Sequence, residues 1–355
     1  MPPQRILVFR IGSFGDTIVT LPAFWSIREA YPEANITLLT SKGIGSQKVG
    51  AKSVLPAEGL FDDWIGYSPK AGIAGLVSQL GLLGKIRAGR FDAVFYLMPR
   101  NRTPESIERD RRFFKLAGIR NLFGFDYLKS HHLDPNQPKP LPFVASEYDF
   151  YIDLLEKEGI ARSERGPDFA LTVDETRIGT EFLESEIDES DRGKPLVAVA
   201  PGTNWESKLW PAENYGEVLR KLVEEYSIVP VIFGGPEDVA LGDRLIKECK
   251  TGINTAGKLD IRTGAAAMKS CALFLGNDTG SMHMASAVGL PCVAIFAATH
   301  FPGRWYPYGD GHTVFRHQVP CEGCNSPDCP EDFKCIRAIS TKEVFEACAR
   351  ILGGS

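Results

Sequence analysis

Four stretches of this sequence place charged or hydrogen-bonding side chains where an apolar run gives way to a turn and then a helix. In "VFRIGSFGDTIVTLP", residues 8 to 22, a strand-like run meets a turn with two glycines, and Asp16 opens the helix that follows. The first turn of a helix offers unpaired N–H groups and a partial positive charge. A carboxylate there either caps the helix or is a base kept ionised for proton abstraction. The residues alone leave both readings open.

The other three stretches lie in the second half. In "APGTNWESKLWP", residues 200 to 211, Gly202 and Thr203 follow a strand, where exposed N–H groups and a hydroxyl can contact phosphate. Lys208 adds a positive charge before the next helix; the plain alternative is a polar loop with a surface lysine. In "FGGPEDVALGDRL", residues 233 to 245, Glu237 or Asp238 can accept hydrogen bonds from a ribose diol, or can simply favour a helix start. The fourth, "LGNDTGSMHMASAVGLP", is the strongest. Asn277, Asp278, Thr279 and Gly280 form a turn into a small-residue helix closed by Gly289. Gly280 removes a side chain, and the helix N-terminus aims donors at a diphosphate. His283 lies one turn in, as a donor-site group or a packed ring. Four polar residues and two glycines at one strand end favour a site over packing.

These turns need parallel strands to hold them. "RILVFRI", "NITLLT" and "FDAVFYL" read as strands of a first unit, and Asp16 to Tyr31 as its first helix, with Pro22 marking a kink or a late start. "ESIERDRRFFKLAGI" is a second helix, ended by Gly118. "PLVAVAPG", "VPVIFGG", "LFLGND" and "PCVAIFA" are strands of a second unit, and "PAENYGEVLRKLVEEY" is a helix with Pro211 near its first turn. Alternating strands and helices predict an α/β chain of two tandem units with parallel sheets. The boundary falls between Asp168 and Lys194, and the units are drawn as 1–175 and 176–340. Open α/β sheets bind ligands at the carboxyl ends of their strands, here in a cleft between the units. "GSFG" at Gly12 to Gly15 is not a G-x-G-x-x-G pattern, so it is a weak dinucleotide signal.

The chain of 355 residues is 43% hydrophobic and 24% charged, with a formal charge of −5, which gives no whole-protein case for nucleic-acid binding. Between Lys85 and Arg120, however, ten Lys/Arg face four Asp/Glu. That stretch is a solvated face or a landing surface for an acidic ligand or an anionic membrane. The N-terminus reads as a strand and not a signal peptide, and "AGIAGLVSQLGLLG" is too short and glycine-rich to span a bilayer. A cytoplasmic location is the expectation, with membrane-surface contact left open. Cys249, Cys271, Cys292 and Cys348 sit among apolar neighbours as small hydrophobes. Cys321, Cys324, Cys329 and Cys335, spaced C-x2-C-x4-C-x5-C, have the look of a structural zinc knuckle or small cluster site. No catalytic metal is assigned to them.

Taken in order, "RIGSFGDTIVTLP", "PGTNWESKLWP", "GNDTGSMHMASAVGLP" and the cysteine-bearing tail resemble glycosyltransferase family 9, the ADP-heptose:lipopolysaccharide heptosyltransferases. The likeness covers nearly the whole chain. It implies a GT-B fold: two Rossmann-like α/β domains facing a central cleft, acceptor-binding then donor-binding, with residues 341–355 forming a helix that returns to the first. It implies inverting transfer from a nucleotide sugar with no cofactor. Asp16 matches the family's general base, with Lys208 stabilising the leaving group. Thr203, Lys208, Thr279 and Gly280 match positions that hold the donor diphosphate. Glu237 matches the ribose-binding acid, and Asp278 and His283 fall in the same donor motif. An acidic glycolipid or oligosaccharide acceptor would meet basic residues of the first half, for which Arg100 and Arg102 are the candidates. A place at the inner face of the inner membrane follows from such an acceptor. After "VAIFA" the chain reads "ATHF", where many relatives have a glycine-proline turn, so the transferred sugar is less determined than the reaction. The alternatives are a transferase using another nucleotide sugar, a sugar-nucleotide epimerase of the same architecture, and a non-catalytic nucleotide-sugar-binding protein.

Overall fold

The computed structural model describes residues 2–41, 50–67 and 72–354. It divides into two compact units, Met1–Asp134 with Glu147–Asp168, and Pro135–Ser146 with Phe169–Ser355. Among the described residues no helix is long and apolar enough to cross a membrane.

In the first unit, β1 (Arg5–Phe9), β2 (Asn35–Ser41), β3 (Asp63–Tyr67), β4 (Ala93–Tyr96) and β5 (Asn121–Phe123) form a parallel sheet in the order β3-β2-β1-β4-β5. Ile6 of β1 lies between Ile36 and Ala93, and Val8 between Leu38 and Phe95. Central strands of this kind are covered on both faces, which is why they read as unbroken apolar runs. The strand order reverses at β1, so the turn after it opens at a switch point between β1 and β4. There α1 (Phe14–Ala30) begins, two residues before the expected start, with Pro22 inside it. The helices α2 (Gly72–Gly89), α3 (Pro104–Leu116), α4 (Phe125–Ser130) and α5 (Glu147–Lys157) complete the unit. Thr103 caps α3, and Gly118, at φ +93°, follows its end.

The second unit begins with α6 (Val173–Glu186). Its parallel sheet has the order β11-β10-β9-β6-β7-β8, built from β6 (Leu196–Ala200), β7 (Val229–Ile232), β8 (Ile253–Asn254), β9 (Leu273–Asn277), β10 (Cys292–Ile295) and β11 (Thr313–Phe315). Helices α7 (Ala212–Tyr226), α8 (Val239–Cys249), α9 (Ile261–Met268) and α10 (Gly280–Ala287) alternate with these strands. After β8 the chain returns to lay β9 on the other side of β6, which puts the turns after β6 and β9 side by side. Gly276 permits that pairing: a Cβ there would stand 2.8 Å from the Ala200 carbonyl oxygen.

Two sequence-based boundaries move. The 175/176 division cuts α6, whereas the units divide at 168/169 and residues 135–146 belong to the second. The C-terminal helix is grouped with the second unit. After the short α11 (Lys334–Arg337), α12 (Thr341–Leu352) buries Val344, Ala347 and Cys348 with Trp210 and Tyr215 in the core of the second unit. Its apolar stripe has a full partner in α7, and Trp210 Nε1–H donates to the Ile339 carbonyl at 3.1 Å.

Helix α6 is pinned to α9 by Arg262, which donates to both carboxylate oxygens of Glu175 at 2.5 and 2.8 Å. Those bonds, with backbone and hydroxyl donors of Thr172, bring the Glu175 pKa from 4.5 down to about 2. A depressed carboxylate stabilises the fold above its unfolded pKa and loses that contribution as pH falls through the folded value. Glu175→Gln is therefore expected to flatten the stability loss between pH 4.5 and about 2. Urea unfolding at stepped pH values measures it; identical acid profiles for the two proteins would refute it.

Candidate functional site

Asp16 stands at the carboxyl end of β1 and is held from three directions. Ser13 is the N-cap of α1, and its N–H and Oγ–H donate to Asp16 Oδ2 at 2.7 and 2.8 Å. Arg10 donates to Asp16 Oδ1 at 3.1 Å and to the Asp16 carbonyl at 3.1 Å. The Arg10 guanidinium is only 2% exposed and stacks 5.3 Å over the Tyr151 ring. Asp16 is thus a capping-box residue. Its side chain remains 24% exposed, so the carboxylate is still open to a proton donor.

In the second unit the adjacency of β6 and β9 brings together two residues 70 positions apart. Lys208 Nζ and Asp278 Oδ2 are 2.6 Å apart, with side chains 12% and 6% exposed. Asn277 links the same turns: its Nδ2–H donates to the Pro201 carbonyl at 2.8 Å, and its Oδ1 accepts from the Trp210 N–H at 3.3 Å. Thr279 is the N-cap of α10 in extended backbone, and its side chain makes no cap bond. Its buried Oγ1 has no hydrogen-bond partner among the described residues. Beside it Gly280 begins the helix. Thr203 Oγ1 accepts from the Trp205 N–H at 3.3 Å, leaving its own proton to donate. A cation, a hydroxyl and the first N–H groups of a helix are what a diphosphate requires.

The structure separates the two acids after β7. Glu237 is exposed on a short 3-10 turn. Asp238 turns inward, accepts from the Gly235 N–H at 2.9 Å, and fills the space that a side chain at Gly202 would need. Burial raises its pKa, the Gly235 N–H opposes the rise, and the neighbouring Glu237 charge adds to it.

Sequence reasoning missed an aromatic group on the same face. The His300 ring lies 5.5 Å from Trp205 and 6.4 Å from Trp305, and His283 lies 6.2 Å from Trp305. Lys208 Nζ sits 5.1 Å over the Trp205 ring. Desolvation, reinforced by the charges of Lys208, Arg304 and Arg316, holds His300 well below its ordinary pKa, so the ring is neutral at pH 7. His283 is 4% exposed within α10. These rings offer flat apolar surface next to the cation. The signal was present as two tryptophans in loops, Trp205 and Trp305.

In the first unit, Arg100 is 4% exposed and pairs at 3.2 Å with Glu147, which is fully buried. It also stacks 4.8 Å over Phe150. Its charge is met inside the unit rather than presented at a surface, which corrects the expectation for that residue. Arg102 is partly exposed and bonded to Asp110 and the Tyr96 hydroxyl. Nearby, Glu105, Glu108, Arg109, Arg112, Leu116 and Lys129 are among the residues lining an open groove of about 760 Å³ along α3.

Cys321, Cys324, Cys329 and Cys335 surround one small enclosed space. The Phe333 N–H donates to Cys329 Sγ at 3.2 Å. Among the described residues, no three His, Cys, Asp or Glu side chains already form a metal-holding group.

The family model of glycosyltransferase family 9 (heptosyltransferase) matches residues 143–334. The lipopolysaccharide core heptosyltransferase OpsX of Haemophilus influenzae is 23% identical over 314 residues, 87% of this chain and 83% of its own length. A glycosyltransferase family 9 protein from Veillonella parvula superposes with a TM-score of 0.74 at 23% identity, covering 99% of this chain and 98% of that one. The ADP-heptose LPS heptosyltransferase II of E. coli gives a TM-score of 0.67 at 19% identity, covering 99% of each chain. The fold is thus GT-B, two Rossmann-like α/β units. With a family match over more than half of its length, the chain belongs to glycosyltransferase family 9, the heptosyltransferases, and is a glycosyltransferase.

Proposed function

We propose that this glycosyltransferase moves heptose from ADP-heptose, with inversion and without a catalytic metal, to a lipopolysaccharide core or related surface-glycan acceptor. The observation that carries the reading is the enclosed Lys208–Asp278 pair beside the N-terminus of α10. An acceptor hydroxyl attacks the anomeric carbon while Asp16 takes its proton. The bond to the diphosphate breaks, and ADP departs with the new negative charge on its terminal phosphate. Lys208 and the N–H groups at Gly280 and Ser281 stabilise that charge. Asp278 aims the lysine, and the hydroxyls of Thr203 and Thr279 bind phosphate oxygens. Glu237 takes the ribose diol, and His283 supports the start of α10 from within. The acidic acceptor is assigned to Arg102 and to Arg109, Arg112 and Lys129 of the mixed-charge groove along α3. The lipid-borne nature of such an acceptor places the enzyme in the cytoplasm, at the inner face of the inner membrane. The likeness to the heptosyltransferases OpsX and E. coli heptosyltransferase II supports the heptose and lipopolysaccharide parts of this assignment.

Thermal unfolding with ADP, UDP, GDP and dTDP tests it. A ligand of the folded state at about 100 times its Kd adds about 2.7 kcal/mol, a shift of several degrees. ADP alone is expected to raise Tm. A shift with a different nucleotide would discard ADP-heptose and keep the transferase. Product formation without any acceptor would point to an epimerase instead.

A further inference from the structure

The cysteine segment is the one motif that the transfer chemistry leaves unused. Cys321, Cys324, Cys329 and Cys335 all line a single cavity of about 20 Å³, joined there by Ser207 and by Thr299 just beyond β10. That is room for one small occupant. Thr299 is 2% exposed, and its hydroxyl has no hydrogen-bond partner among the described residues. One of the sulfurs, Cys329 Sγ, accepts the Phe333 backbone N–H at 3.2 Å. Donors of this kind orient ligands and stabilise their charged form in metal sites. The four thiols of this cavity, set at short spacings in a turn-rich loop, are a ligand set for a soft cation and a poor one for magnesium or calcium.

The same loop is tied to the donor site. Ser207, next to Lys208, donates its N–H to the Pro327 carbonyl at 2.9 Å and its hydroxyl to the Ser326 carbonyl at 2.6 Å. Both acceptors lie between Cys324 and Cys329. The Gly323 and Asn325 N–H groups in turn donate to the carbonyls of Ala298 and Thr299, at 2.7 and 3.0 Å. A device that fixes this loop fixes Ser207, and with it the root of Lys208.

We propose that the four cysteines bind one thiophilic divalent cation of the zinc class, and that the closed site braces Lys208 for the donor diphosphate. The bracing half rests on the donor-site reading above; the metal half does not. Binding exchanges the protons of the four thiols, released to solvent, for four sulfur–metal bonds of about 2.3 Å.

Full-length protein purified anaerobically without chelator is analysed for zinc and iron by plasma mass spectrometry, and its reactive thiols are counted. The expected result is about one ion per chain, lost in Cys324→Ser/Cys329→Ser. Stripping the ion from wild-type protein is expected to weaken ADP binding about ten-fold, with recovery on adding Zn²⁺. Less than about a tenth of an ion per chain, with no uptake of Zn²⁺ or Fe²⁺ by the reduced protein, overturns the site. Removal of a full complement with no change in ADP affinity overturns the bracing. If metal-loaded protein binds no ADP at all, the bracing and the donor reading fall together while the site stands. The wild-type measurements decide all this even where the double variant fails to fold.

Discussion

Asp16→Asn is expected to lower kcat by about 10²- to 10⁴-fold while leaving ADP affinity unchanged. The substitution is nearly isosteric. The Asn oxygen can still accept from Ser13, and Arg10 keeps its bonds to the carbonyls of Leu97 and residue 16, so the start of α1 should persist. What the amide loses is the capacity to take a proton at neutral pH. Because Asp16 belongs to the first unit and the proposed diphosphate contacts to the second, the two readouts separate cleanly. Single-turnover transfer with ADP-heptose, beside calorimetric ADP binding, is the measurement. Wild-type turnover in the variant would leave Asp16 as a helix cap and nothing more.

Lys208→Ala is the second large effect. Loss of a charge aimed at the leaving group is expected to lower kcat/KM by about 10²- to 10³-fold. It also strands the Asp278 carboxylate, which is 6% exposed. Removing one member of an enclosed pair costs about 3–5 kcal/mol, because the remaining charge stays buried without a partner. Folding and catalysis would then fall together, and the single variant could not distinguish them. Lys208→Met/Asp278→Asn removes both charges and is expected to regain most of the lost Tm while remaining inactive. A double variant as active as wild type would remove Lys208 from the chemistry. Recovery of neither stability nor activity would show that the pair is worth more to the fold than an apolar replacement.

Residues with local signatures were legible in the sequence. The central strands β1, β2, β4, β6, β7, β9 and β10 announce themselves because both faces are buried. The edge strands β3, β5, β8 and β11 were missed. They have a neighbour on one side only and are two to five residues long, so neither length nor alternation marks them. Asp16, Lys208 and Asp278 stood out as candidates from their turns. That Lys208 meets Asp278 depends on β9 crossing back beside β6, which no local pattern encodes. Arg100 looked like a free cation after a strand. Its partner, Glu147, lies 47 residues on, and only the tertiary structure reveals that the charge is already matched. The grouping of Trp205, His300 and Trp305 was hidden for the same reason.

Residues 135–146 bear on how members of this family can be recombined. This strap belongs to the second unit although the chain returns to the first until Asp168. Its Leu141 N–H donates to the buried Glu322 carboxylate at 2.8 Å, and its Val144 N–H donates to the Pro302 carbonyl at 2.9 Å. A chimera spliced once near residue 168 would join a foreign strap to the native Glu322 and Pro302, so that both bonds would depend on the path of a foreign backbone. Exchange of donor specificity between relatives therefore calls for three junctions, with residues 135–146 inherited alongside the unit they clasp.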